Sequence, residues 1–182
     1  MEYLLSLEEQ QRLLAMARNA IEDHICSGKV TVTPCEERRL NLKNGCFVTI
    51  KKRGELRGCI GNFQSELPLF KNVAQMAVAA ASNDPRFYHL ESNELPDISL
   101  QISVLSPLEK ISSIEEIQVG EHGIYVEKDY HHGVLLPQVA TEHNWDRQTF
   151  LSQTCLKAGL PPRAWEEEDT DIYTFSAQIF GE

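Results

Sequence analysis

Residues 55–63 read ELRGCIGNF and bring a cysteine, an arginine and two glycines into one short segment. In a strand, side chains two residues apart share a face, so Arg57 and Cys59 are expected to point the same way. A cation beside a thiol favours the nucleophilic thiolate. Gly58 and Gly61 weaken an ordinary strand but allow a ligand or another backbone to approach closely. The segment therefore predicts a ligand cleft with Cys59 in its wall.

Cys59 also has a purely structural interpretation, because cysteine is among the most buried residue types and packs as a small hydrophobic side chain. The same choice exists for His122, which stands in the segment GEHG. It is either a general base for Cys59, as in enzymes with a cysteine nucleophile, or a turn histidine bonded to its own backbone. Sequence order does not decide whether Cys59 and His122 meet. His131 and His132 are expected to be solvated at the tip of a hairpin.

The segment DPRF and two other cysteines, Cys46 and Cys155, are further candidates for a site or for packing. Asp84 and Arg86, in the segment DPRF, either bind a polar ligand or form a local ion pair in a turn. Cys46 and Cys155 are interpreted as packing residues. The sequence holds no Walker loop, dinucleotide-binding fingerprint, HExxH or GxSxG motif, which removes the commonest enzyme classes.

The composition is that of a soluble globular protein and excludes several partners. Of 182 residues, 27 are acidic and 17 basic, and this net charge of -10 repels phosphate backbones. We therefore expect no nucleic-acid partner, and the short apolar runs predict no membrane span. Five cysteines without a CxxC pair favour neither disulfides nor structural zinc. The expected setting is a reducing cytoplasm, with no metal and no cofactor.

The pattern of apolar residues predicts a mixture of helices and strands. A capping box, S-x-x-E, at Ser6 and Glu9 opens a first helix that ends near Gly28. The further expected elements are a hairpin over 46–61, a helix over about 68–82, a strand over 98–104, a second hairpin over 123–136 with its turn at 129–133, a helix capped by Asn144 and closed by Gly159, and a last strand over 173–179. Without regular βαβ alternation, the α+β class is the better prediction.

The hexapeptide LRGCIG at residues 56–61 resembles the signature of the AMMECR domain family, which is named for a human chromosomal deletion region. Other segments match in the same order along the chain: GCFVT before the hexapeptide, then DPRF, ELP, SVL, VG with HGI, LPQVA and WD after it. The resemblance spans nearly the whole chain, and the hexapeptide shows no departure from the family pattern.

The resemblance implies one AMMECR-type domain over residues 1–182, with an α+β fold in two lobes, mixed or antiparallel sheets and flanking helices. The hexapeptide is then expected near a cleft between the lobes. The family's motif residues correspond to Arg57, Gly58, Cys59, Gly61, Asp84, Arg86, Phe87, His122, Gly123, Pro137 and Gln138. The resemblance also implies a prokaryotic form, protein A of a set with a Memo-like protein and a radical-SAM enzyme. It brings no established activity with it.

Two functions therefore stay open. In an enzyme or a component of a modification system, Cys59 is the nucleophile or covalent carrier. Arg57 then stabilises the thiolate or binds an anionic substrate, and His122 shuttles a proton. In a non-catalytic module that binds a ligand or a protein, the same residues line the cleft and Cys59 only packs.

Overall fold

The chain folds into two compact units, which the computed structural model describes over residues 4–182. The first unit consists of the described residues up to Leu105 together with Gln178–Glu182, and the second of Ser106–Ala177. The α-helices are α1 (Leu7–Ser27), α2 (Leu69–Ser82), α3 (Pro137–Glu142) and α4 (Arg147–Lys157). The strands are β1 (Cys46–Lys52), β2 (Glu55–Asn62), β3 (Ile98–Leu105), β4 (Glu109–Lys110), β5 (His122–Lys128), β6 (His131–Leu135) and β7 (Asp171–Gly181). The predicted α+β class is confirmed.

Helix α1 begins and ends where the sequence predicts. The Ser6 hydroxyl accepts a hydrogen bond from the Glu9 backbone N–H, and the Glu9 carboxylate accepts one from the Ser6 N–H. Together these bonds satisfy two N–H groups that have no partner inside the helix. At the other end Gly28 adopts a left-handed conformation, with φ of 68°, and its N–H donates to the His24 carbonyl.

The sheet of the first unit has one face in the core and one face away from it. Its strands follow the order β2-β1-β3-β7, and β1 pairs antiparallel with both β2 and β3. Alternate residues of β1 and β3 are buried against apolar residues of α1 and α2, namely Cys46, Val48, Ile50, Ile98, Leu100, Ile102 and Val104. The residues between them, such as Thr49 and Gln101, are half-buried on the opposite face.

Gly58 lets the backbone of α2 lie directly against the β2 strand. A Cβ atom at this position would stand 2.2 Å from the Ala80 carbonyl oxygen, which is far inside van der Waals contact. Ala77 and Ala80 are themselves buried, so the alanine-rich composition of α2 serves the same close packing. This packing brings Asp84, which follows α2 in the chain, to the β2 strand.

The β1–β2 hairpin contains a bulge at the arginine of the hexapeptide. The predicted hairpin is confirmed, with a turn at Arg53 and Gly54, which both have positive φ. Ile50 pairs with Gly58 but Lys51 pairs with Leu56, so Arg57 has no partner in β1. A bulge turns a side chain away from its expected direction. Strict alternation between Arg57 and Cys59 is therefore interrupted.

The second unit is built on an antiparallel sheet in which β5 lies between β6 and β7, and β4 pairs with β7. Buried residues of β5, Ile124 and Val126, share an apolar cluster with Phe150 and Leu151 of α4. Helix α4 therefore covers one face of this sheet.

Details of the second unit differ from expectation in three places. The β5–β6 turn is shorter than predicted, because β6 already begins at His131, so His131 and His132 are exposed strand residues. Asp146, not Asn144, caps α4, since its carboxylate accepts the Thr149 N–H at 2.8 Å while Asn144 has a φ of 53°. Helix α3 was not expected at all. Within the described part of the chain, no helix has the length and apolar character needed to cross a membrane.

Candidate functional site

Cys59 lies on the face of the first unit's sheet that points away from the core. It pairs across the hairpin with Thr49, and the Cys59 Sγ lies 3.1 Å from the Thr49 Oγ1. Cys59 is half-buried, whereas its neighbour Gly58 is buried against α2. The thiol therefore sits on a partly accessible surface, with a hydroxyl as its hydrogen-bond partner.

The backbone of Cys59 is fixed by a carboxylate at the edge of the sheet. Since β2 is the outermost strand in the order β2-β1-β3-β7, the Cys59 N–H points outward rather than to β1. It donates a hydrogen bond to the Asp84 Oδ2 at 2.9 Å. Asp84 is only 4% exposed and directly follows the end of α2, so the packing of α2 on Gly58 determines where this carboxylate lies.

Arg86 completes a three-residue cluster with Cys59 and Asp84. Its Nε donates to the Asp84 Oδ1 at 3.0 Å and its Nη2 to Oδ2 at 2.8 Å, and its backbone N–H also donates to Oδ1. These side-chain bonds hold the pKa of Asp84 well below its usual range, with help from the N–H groups of Cys59 and Arg86 and against the effect of burial. The pKa of Arg86 is raised, first by its hydrogen bonds to Asp84 and in smaller part by electrostatic interactions with Asp84 and Cys59, against the effect of burial. Asp84 Oδ2 thus joins the cysteine and a cation.

Arg57, which the sequence pairs with Cys59, has other partners. Its Nε and Nη2 bind the two carboxylate oxygens of Glu94 at 3.0 and 2.9 Å, and Nη1 and Nη2 donate to the carbonyls of Tyr88 and His89. The side chain is only 16% exposed. The Arg57 donors therefore hold residues 88–94 against the β2 strand. The cation that shares a carboxylate with Cys59 is instead Arg86.

The two glycines and Phe87 serve packing within the first unit. Gly58 admits the α2 backbone, as described above. Gly61 lies under the ring of Phe47, which a Cβ atom would meet at 2.4 Å. Phe87 is half-buried, and the Arg86 guanidinium carbon lies 5.5 Å from the centre of its ring. These contacts fix the strand and orient the Arg86 side chain.

The other cysteines differ from Cys59 in their surroundings. Burial raises the pKa of the Cys46 thiol to about 12, and burial also raises the pKa of Cys155 and of Cys35. Cys46 and Cys155 are buried, in agreement with their interpretation as packing residues. Cys26 is exposed near the end of α1. Cys26 is therefore the natural reference thiol for Cys59.

The remaining predicted site residues belong to the second unit. The Nδ1 of His122 accepts a hydrogen bond from the Gln118 backbone N–H at 3.3 Å, which leaves the proton of the neutral ring on Nε2. Gly123 lies under the ring of Phe175, and Pro137 is buried in the first turn of α3. The catalytic pairing of His122 with Cys59 stays a prediction.

Gln138 carries an unusual polar atom. Its Oε1 is buried, and among residues 4–182 it has no hydrogen-bond partner. A buried acceptor without a donor is costly, so such an atom is a natural hydrogen-bonding point for a ligand.

A cavity of about 380 Å³ lies elsewhere in the first unit, lined by Glu9, Glu37, Arg38, Arg39 and Leu42. Its acidic groups already have partners, because Glu9 binds Arg39 and Glu37 binds Arg12. Within residues 4–182, no group of three or more histidine, cysteine, aspartate or glutamate side chains is arranged to hold a metal ion. The Cys59 cluster is therefore the stronger candidate site of this unit.

Comparison with known proteins identifies the family. A model of the AMMECR1 family matches residues 14–180. The chain belongs to the AMMECR1 family. A protein of Methanopyrus kandleri is 43% identical over an alignment of 187 residues, which covers 98% of this chain and 90% of the Methanopyrus chain. A protein of Methanothermobacter thermautotrophicus is 42% identical over 186 residues, with 98% and 96% covered.

A solved AMMECR1 relative has the same fold. The crystal structure of an uncharacterised protein from Pyrococcus horikoshii superimposes with a TM-score of 0.81 at 40% sequence identity, covering 94% of this chain and 90% of the other. The relatives therefore establish the family and the fold but name no reaction.

Two residues that contact the candidate site, Thr49 and Glu94, were not among the predicted site residues. Thr49 was recognisable, because the predicted hairpin already places residue 49 near residue 59 across the strands. Glu94, the partner of Arg57, was not recognisable, because its contact depends on how residues 83–97 return to the sheet.

Proposed function

We propose that this chain is an enzyme, or a component of a modification system, that uses the Cys59 thiol as its nucleophile. The observation that carries the proposal is the pair of hydrogen bonds at the Asp84 Oδ2, from the Cys59 N–H at 2.9 Å and the Arg86 Nη2 at 2.8 Å. A nucleophilic cysteine needs a rigid backbone and a nearby cation that favours the thiolate. The cluster places a backbone anchor for Cys59 and the Arg86 cation on one carboxylate of the first unit.

The setting of Cys59 supports the same conclusion. Cys59 is half-buried on the sheet face opposite α1 and α2, whereas Cys46 and Cys155 are buried. Thr49 is the hydrogen-bond partner of the sulfur, and its hydroxyl can donate or accept that hydrogen bond. His122 is the proposed proton shuttle, in line with the family motif.

The proposed setting is the cytoplasm, with a Memo-like protein and a radical-SAM enzyme as partners. The resemblance to the prokaryotic family set supports these partners, and the five free cysteines suit a reducing compartment. Purified candidates mixed with this chain and passed over a sizing column test the association directly. Separate elution of all three proteins at micromolar concentration would contradict a stable complex.

A non-catalytic binding module is the second candidate, and Gln138 is the observation that favours it. A buried Oε1 without a donor is the kind of atom that a bound ligand satisfies. In such a module Cys59 only packs, and its hydrogen bond to Thr49 is the end of its role.

The test is to incubate a small-molecule cell extract with three proteins and follow every compound by mass spectrometry. The proteins are the wild type, Cys59→Ala and the matched control Cys26→Ala, which removes an exposed thiol of the same chain. The proposal predicts that at least one compound is converted by the wild type and by Cys26→Ala but not by Cys59→Ala. Conversion that survives Cys59→Ala would refute the nucleophile. Compounds that are retained by the protein but unchanged would favour the binding module.

A further inference from the structure

The Arg86 side chain is anchored along one edge and open along another. Its Nε and Nη2 form the edge that binds Asp84, while Nη1 makes no hydrogen bond to any of residues 4–182. The guanidinium therefore presents an end-on edge, made of Nη1 and the second hydrogen of Nη2. Two parallel N–H groups of this kind match the oxygens of a carboxylate or a phosphate.

The charges of the pair are arranged from inside to outside. The Asp84 side chain is 2% exposed and the Arg86 side chain is 56% exposed. Although the pair has no net charge, its accessible end is therefore positive. Phe87, 5.5 Å from the guanidinium carbon, covers part of the group and favours one orientation of its plane.

The open edge belongs to the same cluster as the thiol. The Cys59 N–H and the Arg86 Nη2 both donate to the Asp84 Oδ2, at 2.9 and 2.8 Å. The guanidinium of Arg86 therefore lies close to the Cys59 backbone. Arg57 does not offer a comparable edge, because its end nitrogens bind Glu94, Tyr88 and His89 and its side chain is 16% exposed.

We infer that the Cys59 site accepts molecules that carry an oxyanion, a carboxylate or a phosphate, bound end-on by Arg86. The inference rests on the proposed function and names the substrate class of that same site. The anionic group is the handle by which Arg86 holds the molecule, and the reacting part of the molecule then faces the Cys59 sulfur.

Two alkylating agents of nearly equal size test the inference, neutral iodoacetamide and anionic iodoacetate. With either one, the sulfur forms a bond to carbon, iodide leaves and the thiol proton goes to the buffer. Rates are measured at Cys59 and at the exposed Cys26 in the same sample by peptide mass spectrometry. The ratio of the iodoacetate rate to the iodoacetamide rate is expected to be roughly three to ten times higher at Cys59 than at Cys26.

Salt provides a form of the test that needs no variant. In a chain of net charge -10, iodoacetate is repelled from an ordinary exposed thiol, so added sodium chloride should raise the ratio at Cys26. At Cys59 the same salt should lower it, because chloride screens the attraction to Arg86. A ratio that rises at both sites would overturn the inference.

Variants then assign the effect to one residue. Arg86→Gln removes the charge and should bring the ratio at Cys59 to the value at Cys26. Arg86→Lys, which retains the charge but not the two-pronged edge, should give an intermediate ratio and protects against a misfolded glutamine variant. The matched control is Arg53→Gln, which removes a 77% exposed arginine of the same unit and should change nothing. Equal losses in Arg53→Gln and Arg86→Gln would mean that only net charge matters, and would overturn the inference.

Competition separates the two sources of an oxyanion. At constant ionic strength, slowing of Cys59 alkylation by inorganic phosphate but not by acetate points to a phosphate, and the reverse points to a carboxylate. If neither anion slows the reaction more than chloride does, the inference is wrong. If neutral iodoacetamide labels Cys59 no faster than the buried Cys46, the proposed function is wrong as well. Normal iodoacetamide labelling without anion selectivity overturns the inference alone.

Discussion

Replacing Arg57 with alanine is expected to lower the free energy of unfolding of the first unit by about 2–4 kcal/mol. The side chain is 16% exposed and forms a two-pronged ion pair with Glu94, whose side chain is 12% exposed. It also donates to the Tyr88 carbonyl at 2.9 Å and to the His89 carbonyl at 3.3 Å. The alanine variant removes both donors from the half-buried Glu94 carboxylate, which retains Lys52 and the Glu91 N–H as partners, and frees the Tyr88 and His89 carbonyls to water.

The pKa of Glu94 provides an independent scale for this loss. Its hydrogen bonds to Arg57 are the largest cause that lowers the pKa from 4.5 to about 2, and Lys52 and the Glu91 N–H add to the effect. A pKa lowered to this extent corresponds to roughly 3 kcal/mol of stabilisation by all partners of the carboxylate together. Lys52 still pairs with Glu94 in the variant and retains part of this stabilisation. The loss of the two hydrogen bonds from Arg57 to backbone carbonyls lowers the stability further.

Urea denaturation followed by circular dichroism measures the change, with Arg53→Ala as control. Arg53 pairs with Asp97 at the surface, with side chains 77% and 40% exposed, so its loss should stay within about 0.5 kcal/mol. The contribution of Glu94 is present above its ordinary pKa of 4.5 and is lost as the pH falls through about 2. The gap between wild type and Arg57→Ala should therefore narrow in acid. A gap below about 0.5 kcal/mol at neutral pH would refute the structural role of Arg57.

Three further substitutions test the elements that build the site, each by the same urea titration. Gly58→Ala should cost about 2–3 kcal/mol, because the new methyl group would lie 2.2 Å from the Ala80 carbonyl and α2 would have to move. Asp84→Asn should cost about 1–2 kcal/mol of unfolding free energy at neutral pH. It should also weaken the loss of stability in acid, because the ionised Asp84 carboxylate stabilises the fold above its ordinary pKa and this stabilisation is lost when the carboxylate is protonated. Ser6→Ala should cost about 1 kcal/mol through loss of the α1 cap.

Each of these three expectations has a clear opposite. A Gly58→Ala protein as stable as the wild type would show that α2 does not need its close contact with β2. An Asp84→Asn protein whose stability and whose loss of stability in acid match the wild type would show that the ion pair with Arg86 does not stabilise the fold. A neutral Ser6→Ala would mean that packing alone determines the start of α1.

The parts of the fold that were predictable are those encoded by neighbouring residues. The capping box at Ser6 and Glu9 lies within four residues, and the β1–β2 hairpin is encoded by two alternating segments around a turn at Gly54. Helix α3 spans six residues, too few to produce a helical period, and was missed. The cap of α4 was assigned to Asn144 instead of Asp146, since both residue types are good caps and lie two positions apart.

The position of Cys59 on the β1–β2 hairpin was predictable from the sequence, whereas the binding partners of Arg57 were not. The glycines around Cys59 marked an unusual strand, although the structure uses them for contacts with Ala80 and Phe47. Arg57 was assigned to the thiol from a strict two-residue alternation, which the bulge opposite Ile50 and Lys51 interrupts. The contact between Cys59 and Asp84 joins residues 25 positions apart and depends on the packing of α2, which no local pattern encodes.

The most direct test of the account is the order in which the five thiols react with limiting iodoacetamide in the folded protein at neutral pH. Peptide mass spectrometry gives the rate at each cysteine in one sample. We expect Cys59 to react fastest, ahead of Cys26 even though Cys26 is the exposed thiol, because Asp84 fixes the Cys59 backbone and the Arg86 cation binds the same carboxylate. Labelling of Cys26 first, with Cys59 as slow as the buried Cys46 and Cys155, would contradict it.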